Sequence, residues 1–521
     1  MTSTSLSQAP LLVVGAGIMG AGIAQVAAQA GHLVWLHDNR TGAAAQAKDK
    51  LATSLQGLVA KGKLAAADAD AALARITPID DLAAAAGARL VVEAIVENLA
   101  VKRALFAQLE GLMGADCVLA TNTSSISVTA IANGLQRPGR LVGMHFFNPV
   151  PLMKLVEVVS GLHTEPAVAQ AIFELSAAWG KTPVHARSTP GFIVNRIARP
   201  YYAESLALLQ EQATTPAVLD ACLRAAGFRM GPCELMDLIG HDTNFAVTNS
   251  VYEANFYDKR YAPSGVQREL VDAGWLGRKT GRGFYAYPND GATLPVALHA
   301  APSLGGEVVV HGQGPLADAL HQAATTALAP QGWGPGRDIT SGWTGLAVDG
   351  ARLMLTDGRT AAEVAATLGL ADVALFDRSV TGTAHAPGTP LAYAMAPQAG
   401  AAWAEQAGAW LAALGFAPQR MADAPGLVVA RTVAMLINEA ADAVQQGVCT
   451  PEGADAAMKL GVNYPAGPFE WLARWDVAGV VALLDALDAH HRGERYRASP
   501  WLRQRARSSG VSGTQGRGAH A

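Results

Sequence analysis

Two clusters in the first third of the sequence have the residue types and spacing that chemistry requires. The first is GAGIMG, which matches G-x-G-x-x-G at Gly15, Gly17 and Gly20 and encloses Ile18 and Met19. In such a turn the first glycine makes the bend, the second admits a pyrophosphate to the backbone, and the third lets helix and strand pack closely. The positive end of the following helix dipole favours the phosphate. The cluster predicts a dinucleotide site, and we expect all five residues to contact the cofactor.

The sequence around this turn supports the prediction. The apolar run LLVVG ends at Gly15, an alanine-rich helical segment follows, and Asp38 lies 21 residues beyond Gly17, at the end of the next predicted strand. An acid at that place accepts the ribose hydroxyls, and its charge would repel a 2′-phosphate. Asp38 therefore predicts NAD rather than NADP, with a solvated strand-end acid as the alternative.

The second cluster is MHFFNPVPLMKLVE, which contains His145 and Glu157. A histidine can accept a proton near neutral pH, and a carboxylate at its other ring nitrogen fixes the tautomer and stabilises the imidazolium. Oxidation of an alcohol needs such a base, because hydride leaves carbon as the hydroxyl proton is withdrawn. A structural histidine at a strand end is the alternative.

The elements that must position these residues are short apolar runs separated by helical segments. LVVEAIV, CVLATN and RLVGMHFF follow the first two strands, and this alternation predicts a parallel, doubly wound sheet. We expect a Rossmann domain over residues 9–188. From residue 189 the pattern becomes helical, which predicts an all-α domain over 189–287.

An internal repeat sets the organisation of the second half. DAPGLVVARTVAMLINEA repeats STPGFIVNRIARPYYAES, so a second copy of the all-α domain is expected over 423–508. Between the copies, residues 300–420 resemble a degenerate α/β segment with Gly312 and Gly314 retained and Ala317 in the third position. The fold class is therefore an α/β Rossmann domain, an all-α domain, a degenerate α/β segment and a second all-α copy. The final fourteen residues are expected to form a frayed tail.

The second half lacks the chemistry of the first. Its best match to GMHFFNP is AYAMAP (Ala392 to Pro397), which has no histidine, and Ala430 stands where the first copy has Asn195. No acid lies at the expected spacing beyond Gly314. We expect the second half to support the first rather than to bind a second NAD.

Bulk composition excludes several classes. A net charge of -4 over 521 residues gives no basic footprint for nucleic acid, and four scattered cysteines indicate no metal or disulfide framework. The sequence contains no apolar run of about 18 residues, so no membrane span is predicted. The N-terminal residues MTSTSLSQAP lack the features of a signal peptide, so we expect a cytoplasmic protein. We also expect no bound metal.

The chain resembles the 3-hydroxyacyl-CoA dehydrogenase family over residues 9–287. The matching strings are VVGAGIMGAGIAQVAAQAGHLVWLHD, VVEAIVENLAVKRALF, TNTSSIS, GMHFFNPVPLMKLVEVV, STPGFIVNRIARPYYAES, LMDLIGHDTNF and GRKTGRGFY. The resemblance implies that His145 is the general base and Glu157 its orienting partner. It also implies that Ser124 hydrogen-bonds the substrate 3-oxygen and that Asn195 helps to hold the reacting centre.

Further site residues follow from the same resemblance. Glu97 and Lys102 correspond to cofactor-contacting positions, and Asn122 to a position beside the nicotinamide ribose. Ser54 and Lys61 correspond to positions that bind the CoA moiety, with ordinary helix-surface residues as the alternative. An acyl-CoA substrate and a homodimer are implied as well.

The total length and the duplicated helical domain resemble a bacterial branch of the family associated with phenylacetate breakdown. The implied substrate is 3-hydroxyadipyl-CoA, with 3-hydroxybutyryl-CoA as the alternative, and a separate enoyl-CoA hydratase and thiolase are expected in the same pathway. A structural protein that binds NAD without turnover is disfavoured because His145 and Glu157 are both present. A bifunctional protein is disfavoured because no residues remain for a hydratase domain.

Overall fold

The computed structural model describes residues 6–288, 306–378 and 388–512. It divides into two compact units, the first comprising Met1–Arg196 with Ala443–Asn463 and the second Ile197–Asp442 with Tyr464–Ala521. These limits differ from the predicted domain limits because a piece of the second helical copy packs within the first unit. Residues 300–305 and 379–387 of the predicted degenerate segment, and residues 1–5 of the N-terminal segment, lie outside the described residues.

The first unit is built on an eight-stranded sheet in the order β3-β2-β1-β4-β5-β6-β7-β8. The strands are β1 Leu11–Val14, β2 Val34–His37, β3 Ile76–Ile79, β4 Leu90–Glu93, β5 Val118–Thr121, β6 Leu141–Phe146, β7 Leu155–Ser160 and β8 Thr182–Arg187. Aliphatic side chains from both faces of these strands are buried, which explains why most of them read as continuous apolar runs.

The first sheet is parallel, as predicted, except at one pair of strands. β6 and β7 run antiparallel, whereas the other neighbouring strands are parallel. The connecting residues 147–154 are too few for a parallel crossover, which needs a dozen or more. Strands β3 and β8 were not predicted from the sequence. Both contain a proline and lie at the two edges of the sheet, where a missing N–H is tolerated.

α-Helices follow the strands of the first unit and make up most of the second. In chain order they are α1 Ile18–Gln29, α2 Ala43–Ala60, α3 Ala66–Ala74, α4 Leu99–Leu112, α5 Val128–Ala132, α6 Pro166–Ala178, α7 Val194–Ile197, α8 Arg199–Gln210, α9 Pro216–Ala225, α10 Pro232–Ile239, α11 His241–Ala254, α12 Gly265–Asp272, α13 Pro315–Leu328, α14 Ala361–Leu368, α15 Ala401–Ala413, α16 Val429–Gln445, α17 Pro451–Val462, α18 Pro468–Trp475, α19 Val477–His491 and α20 Pro500–Ser512. Helix α20 extends into the segment expected to be frayed. Among the described helices, none combines the length and apolar character needed to cross a membrane.

The second unit contains its own sheet of seven strands in the order β10-β9-β11-β12-β13-β14-β15. The strands are β9 Val308–His311, β10 Gly336–Asp338, β11 Gly345–Val348, β12 Ala351–Leu355, β13 Val373–Phe376, β14 Thr389–Met395 and β15 Phe416–Arg420. β13 and β14 pair antiparallel and β14 and β15 parallel, as β6, β7 and β8 do. This sheet accounts for the α/β segment expected between the helical copies.

A buried ion network joins the two helical copies inside the second unit. Glu204 on α8 accepts hydrogen bonds from Arg431 Nε at 2.8 Å, from Arg495 at 2.9 Å and from the Tyr496 hydroxyl at 2.9 Å. Arg431, on α16, is fully buried and also bonds both oxygens of Glu211. Burial favours the neutral carboxyl of Glu204, but Arg495 and Arg431 outweigh it and hold its pKa below the usual value.

Candidate active site

The glycine-rich turn lies between β1 and α1 and has the shape that a pyrophosphate requires. Gly15 has φ +105°, and a Cβ there would lie 2.4 Å from the carbonyl oxygen of Ala94. A Cβ on Gly20 would lie 1.8 Å from the Gly15 carbonyl oxygen, so only glycine allows this close approach. At Gly17 nothing lies within 4 Å of the corresponding position, and α1 begins without a side-chain cap. The open space above uncapped N–H groups fits an anionic diphosphate.

Asp38 follows β2 and faces this turn. Its Oδ2 accepts a hydrogen bond from the Ala16 N–H at 2.8 Å, and Arg40 makes two further bonds to the carboxylate, at 2.9 and 3.0 Å. The hydrogen bond from Arg40 is the largest of the effects that lower the pKa of Asp38. The carboxylate is therefore ionised at neutral pH and is fixed beside the glycine-rich turn. Exposed Ile18, at 78% relative exposure, provides apolar surface at the start of α1.

Replacement of Asp38 by Ala is expected to change the cofactor preference. The variant lacks the carboxylate that we expect to accept the ribose hydroxyls, and it frees Arg40, an exposed cation, to attract a 2′-phosphate. Because hydrogen bonds to a charged group contribute about 1.5–3 kcal/mol, kcat/KM for NAD should fall about ten- to hundredfold relative to NADP. Steady-state kinetics with both cofactors measure the ratio. The double variant with Arg40→Ala should lose the gain with NADP, and an unchanged ratio in Asp38→Ala would contradict this role.

Glu97 and Lys102 form a connected group at the carboxyl ends of β4 and β5. Lys102 Nζ is buried and lies 2.5 Å from Glu93 Oε1 and 3.3 Å from Glu97 Oε2. Glu97 accepts hydrogen bonds from Thr123 Oγ1 at 2.6 Å and from the Ser124 N–H at 2.9 Å. Burial raises the pKa of Glu97, but these bonds and the charge of Lys102 bring it below the usual value. Lys102 therefore acts on this edge of the sheet through Glu97, which is partly exposed.

His145 and Glu157 lie directly opposite each other on the antiparallel strands β6 and β7. His145 Nδ1 and Glu157 Oε2 are 2.6 Å apart, and both side chains are buried. The other carboxylate oxygen accepts the N–H groups of Ile193 and Val194 at 3.1 and 2.9 Å. Because a carboxylate with these donors acts as an acceptor, Nδ1 must carry the hydrogen, and Nε2 is left with a lone pair to accept a proton.

Hydrogen bonds connect Asn122 to the strand that carries His145, and Asn195 to Ser124. Asn122 Oδ1 accepts the N–H of Phe146, at 2.8 Å, and so fixes the strand next to His145. Asn195 Nδ2 lies 3.4 Å from the Ser124 carbonyl oxygen, which links the segment after β8 to the loop after β5. Ser54 and Lys61, by contrast, are exposed positions on and just after α2. The structure gives no contact that joins those two to the other predicted site residues.

A segment of the second helical copy lies against this site, as expected of a second half that supports the first. Helix α17 packs on β7 and β8. A Cβ on Gly461 of α17 would lie 2.7 Å from Leu155 Cδ2 and 3.6 Å from Phe147 Cε1. The Phe147 ring lies 4.5 Å from the His145 ring. The absence of a side chain at Gly461 thus allows the helix to approach residues that contact the histidine.

The variant Gly461→Val is expected to disturb this contact. Its added side chain has no room against Leu155 and Phe147, and such overpacking costs about 1–3 kcal/mol of stability. We expect kcat to fall severalfold while the KM for NAD changes little, as measured by initial rates with saturating substrate. The matched control is Gly111→Val on α4, where a Cβ would have no atom within 4 Å. Equal effects on kcat in the two variants would contradict the role of Gly461.

The second sheet has a counterpart of the pair with different chemistry. Glu157 pairs with Val184 on β8. In the internal repeat, Val184 corresponds to Gln419. Gln419 in turn pairs with Ala392 on β14. Ala392 therefore takes the position of Glu157, and AYAMAP matches β7 rather than β6, so the predicted match to GMHFFNP is wrong. The sequence similarity covered too few residues to establish which strand of the first sheet AYAMAP matches.

The residue opposite Ala392 is Asp377, whose N–H bonds the Ala392 carbonyl at 2.9 Å and which therefore takes the position of His145. Its carboxylate accepts the N–H groups of Val428, Val429 and Ala430 at 2.9, 2.6 and 3.0 Å. Burial raises the pKa of Asp377 to about 6 despite these donors. An acceptor saturated by backbone N–H groups provides no base like the His145 imidazole.

The turn after β9 also differs from the turn after β1. His311 at the end of β9 pairs with Asp338, just as Val14 at the end of β1 pairs with His37. Asp338 therefore corresponds to His37, and the next residue, Ile339, corresponds to Asp38. Pro315 begins α13 and has no N–H for a phosphate. No group of three metal-ligating side chains is found in the described parts of the chain, and all four cysteines are free thiols.

A Rossmann sheet with a dinucleotide turn, an NAD-type acid and a buried histidine–carboxylate pair defines an NAD-dependent dehydrogenase of alcohols. The chain belongs to the 3-hydroxyacyl-CoA dehydrogenase family. The family's NAD-binding domain matches residues 11–189, its C-terminal domain matches 191–287 and again 426–520, and a 3-hydroxybutyryl-CoA dehydrogenase reduced Rossmann-fold domain matches 353–425. The protein is an NAD-dependent oxidoreductase that acts on an acyl-CoA.

Relatives match either the whole chain or its first half. The 3-hydroxyadipyl-CoA dehydrogenase of Escherichia coli K12 is 43% identical, over 95% of this chain and 96% of its own. A crystal structure of 3-hydroxybutyryl-CoA dehydrogenase from Escherichia coli K12 has a TM-score of 0.87 at 42% identity and covers 96% of this chain and 99% of that one. The (S)-3-hydroxybutyryl-CoA dehydrogenase of Ralstonia eutropha, 40% identical with a TM-score of 0.53, covers 54% of this chain and all of its own.

Proposed function

We propose that the chain oxidises (S)-3-hydroxyacyl-CoA to 3-oxoacyl-CoA at one centre, formed by His145 and Glu157. NAD, when bound, supplies the acceptor for the hydride. The observation that supports this proposal is the 2.6 Å contact between His145 Nδ1 and Glu157 Oε2 on paired strands. That contact leaves Nε2 of the imidazole as the proton acceptor that alcohol oxidation requires.

The proton steps follow from the chain's own groups. His145 Nε2 takes the hydroxyl proton, and Glu157 stabilises the imidazolium that results. The Ser124 hydroxyl and the protonated His145 then donate hydrogen bonds to the new carbonyl oxygen. Asn195 holds the Ser124 segment through the Ser124 carbonyl oxygen, from which its side chain lies 3.4 Å.

The same proposal assigns the binding residues. NAD would be held by the glycine-rich turn, by Asp38 and by the group after β4 and β5, in which Lys102 acts through Glu97. These residues are Gly15, Gly17, Ile18, Met19, Gly20, Asp38, Glu97, Lys102 and Asn122. Ser54 and Lys61 would bind the CoA moiety, since a cationic lysine complements its phosphates.

We propose 3-hydroxyadipyl-CoA, an intermediate of phenylacetate catabolism, as the physiological substrate. The 43% identity to the Escherichia coli enzyme of that name, over 95% of this chain, supports it. The second candidate is 3-hydroxybutyryl-CoA, which is favoured by the name of the full-length structural relative.

The test is NADH production by the purified protein with a panel of 3-hydroxyacyl-CoAs. A kcat/KM at least tenfold higher for 3-hydroxyadipyl-CoA than for 3-hydroxybutyryl-CoA supports the first candidate, and the reverse order supports the second. Failure to oxidise any member of the panel would contradict the proposed reaction itself.

We also propose four further properties from the sequence. They are a homodimer, a cytoplasmic location, a separate enoyl-CoA hydratase and thiolase in the same pathway, and the domain limits 9–188, 189–287, 300–420 and 423–508. Sedimentation equilibrium of the full chain tests the dimer, because a mass of one chain at micromolar concentration would contradict it.

A further inference from the structure

Glu93, at the end of β4, is a fully buried carboxylate outside the set of predicted site residues. Its Oε1 accepts the N–H of Ile95 at 2.8 Å and lies 2.5 Å from Lys102 Nζ. Its Oε2 accepts the hydroxyl of Thr121 at 2.7 Å, from the neighbouring strand β5. A buried charge is stable only when it is paired and hydrogen-bonded, and these three donors meet that requirement. The carboxylate of Glu93 is therefore held in one place.

Lys102 connects this carboxylate to Glu97. The side chain of Lys102 is buried, and its Nζ lies 3.3 Å from Glu97 Oε2 on the side away from the closer contact with Glu93. Because the ammonium is removed from water, it must stay beside its carboxylate partners. Glu97 is 37% exposed and can also be hydrated, so Lys102 is the group that keeps its Oε2 turned inward. The position of Glu93 thus determines the position of Glu97.

Glu97 in turn holds the loop that carries Ser124. Its Oε1 accepts the N–H groups of Ser124 and Ser125 at 2.9 and 3.1 Å, and the hydroxyls of Thr123 and Ser125 at 2.6 and 3.0 Å. The hydroxyl of Ser124 lies 3.4 Å from the same oxygen. That contact is too long for a strong hydrogen bond, so the hydroxyl hydrogen is available to another acceptor. Since these bonds converge on one oxygen, its position fixes the direction of the Ser124 hydroxyl.

We propose that Glu93 is a positioning residue for the dehydrogenase reaction. Through Lys102 and Glu97 it places the Ser124 hydroxyl for its hydrogen bond to the substrate 3-oxygen. The inference rests on the proposed function, in which Ser124 donates to the new carbonyl oxygen. A displacement of about 1 Å in such a group can lower the rate about hundredfold. All four side chains belong to the first unit, as does His145.

The experiment is a double-mutant cycle between Glu93→Gln and Ser124→Ala. It measures kcat at saturating NAD, with the 3-hydroxyacyl-CoA that has the highest kcat/KM in the panel. Glu93→Gln keeps the volume but removes the charge that holds Lys102, and it should lower kcat about ten- to hundredfold. Ser124→Ala should lower kcat about hundredfold, as loss of one donor to an oxyanion does. Because Glu93 acts through Ser124, adding Glu93→Gln to Ser124→Ala should lower kcat less than about twofold further.

The control is Glu110→Gln on α4, in the same unit. Glu110 accepts the N–H groups of Gln136 and Arg137 at 2.6 and 2.9 Å, so its described hydrogen bonds lead away from the Ser124 loop. This variant also removes a partly buried carboxylate, but it should change kcat less than about twofold.

A second variant, Glu93→Asp, keeps the buried charge balanced and shortens the side chain by one C–C bond. It should lower kcat severalfold in the presence of Ser124 and hardly at all in Ser124→Ala, and it replaces Glu93→Gln in the cycle if that variant does not fold. A merely structural role would lower kcat by the same factor in both backgrounds, and that result would overturn the inference. An unchanged kcat in the folded Glu93 variant would overturn it as well. Absence of NADH formation by the wild-type protein would contradict the proposed function and this inference together, whereas equal factors in the two backgrounds leave the function standing.

Discussion

His145→Gln should lower kcat by about three to four orders of magnitude, while NADH still binds with nearly wild-type affinity. Glutamine fills a similar volume and keeps hydrogen-bonding groups, but it cannot accept a proton near neutral pH. General acid–base catalysis contributes about 10²–10⁴-fold, and the variant also loses the donor that would stabilise the carbonyl oxygen. Stopped-flow or steady-state NADH formation gives kcat, and a fluorescence titration gives NADH affinity.

The variant Glu157→Gln distinguishes the role of His145 as the base from the role of Glu157 in stabilising the imidazolium. Glu157→Gln keeps His145 but removes the charge that stabilises the imidazolium, so kcat should fall less than in His145→Gln. Its amide also presents N–H groups where the carboxylate accepts two backbone hydrogen bonds, from Ile193 and Val194. Near-normal turnover in His145→Gln would contradict the proposed mechanism.

Arg431→Met should destabilise the second unit by about 3–5 kcal/mol. The arginine is fully buried and bonds Glu204 and Glu211, so its removal leaves a buried carboxylate without one of its cations. In urea unfolding followed by tryptophan fluorescence, the first transition should occur at a lower urea concentration than in the wild type. Fluorescence reports on this unit because Trp471 is buried in it.

The matched control removes an arginine from an exposed pair. Arg268 and Asp272, one turn apart on α12, are 60% and 51% exposed, and such pairs contribute about 0.3–0.5 kcal/mol. Arg268→Met should therefore leave the unfolding curve almost unchanged. If Arg431→Met shifts the curve no more than Arg268→Met does, the buried network does not stabilise this unit as its geometry indicates.

The parts of the fold set by local chemistry were predictable from the sequence. The glycine-rich turn follows from backbone sterics at Gly15 and Gly20, and the elements before and after it were predicted as strand and helix. The approach of His145 and Glu157 was expected from their types and spacing. Their antiparallel register was not, because the short connection between β6 and β7 decides strand direction only once the pairing is known.

Contacts between distant segments could not be read from the sequence. Gly461 belongs to the second helical copy, yet it lies within the first unit and packs there against Leu155, and no periodicity indicates that approach. The correspondence between Asp377 and His145 is likewise shown only by the strand register, because the sequences around the two residues differ.

We expect a chain with nearly two copies of the fold to have one working centre, in its first half. A titration of the purified wild-type protein with NADH, followed by fluorescence and referred to the chain concentration, tests it most directly. We expect one equivalent of NADH per chain, with binding weakened by Asp38→Ala. Two equivalents per chain, or one equivalent unaffected by Asp38→Ala, would contradict it.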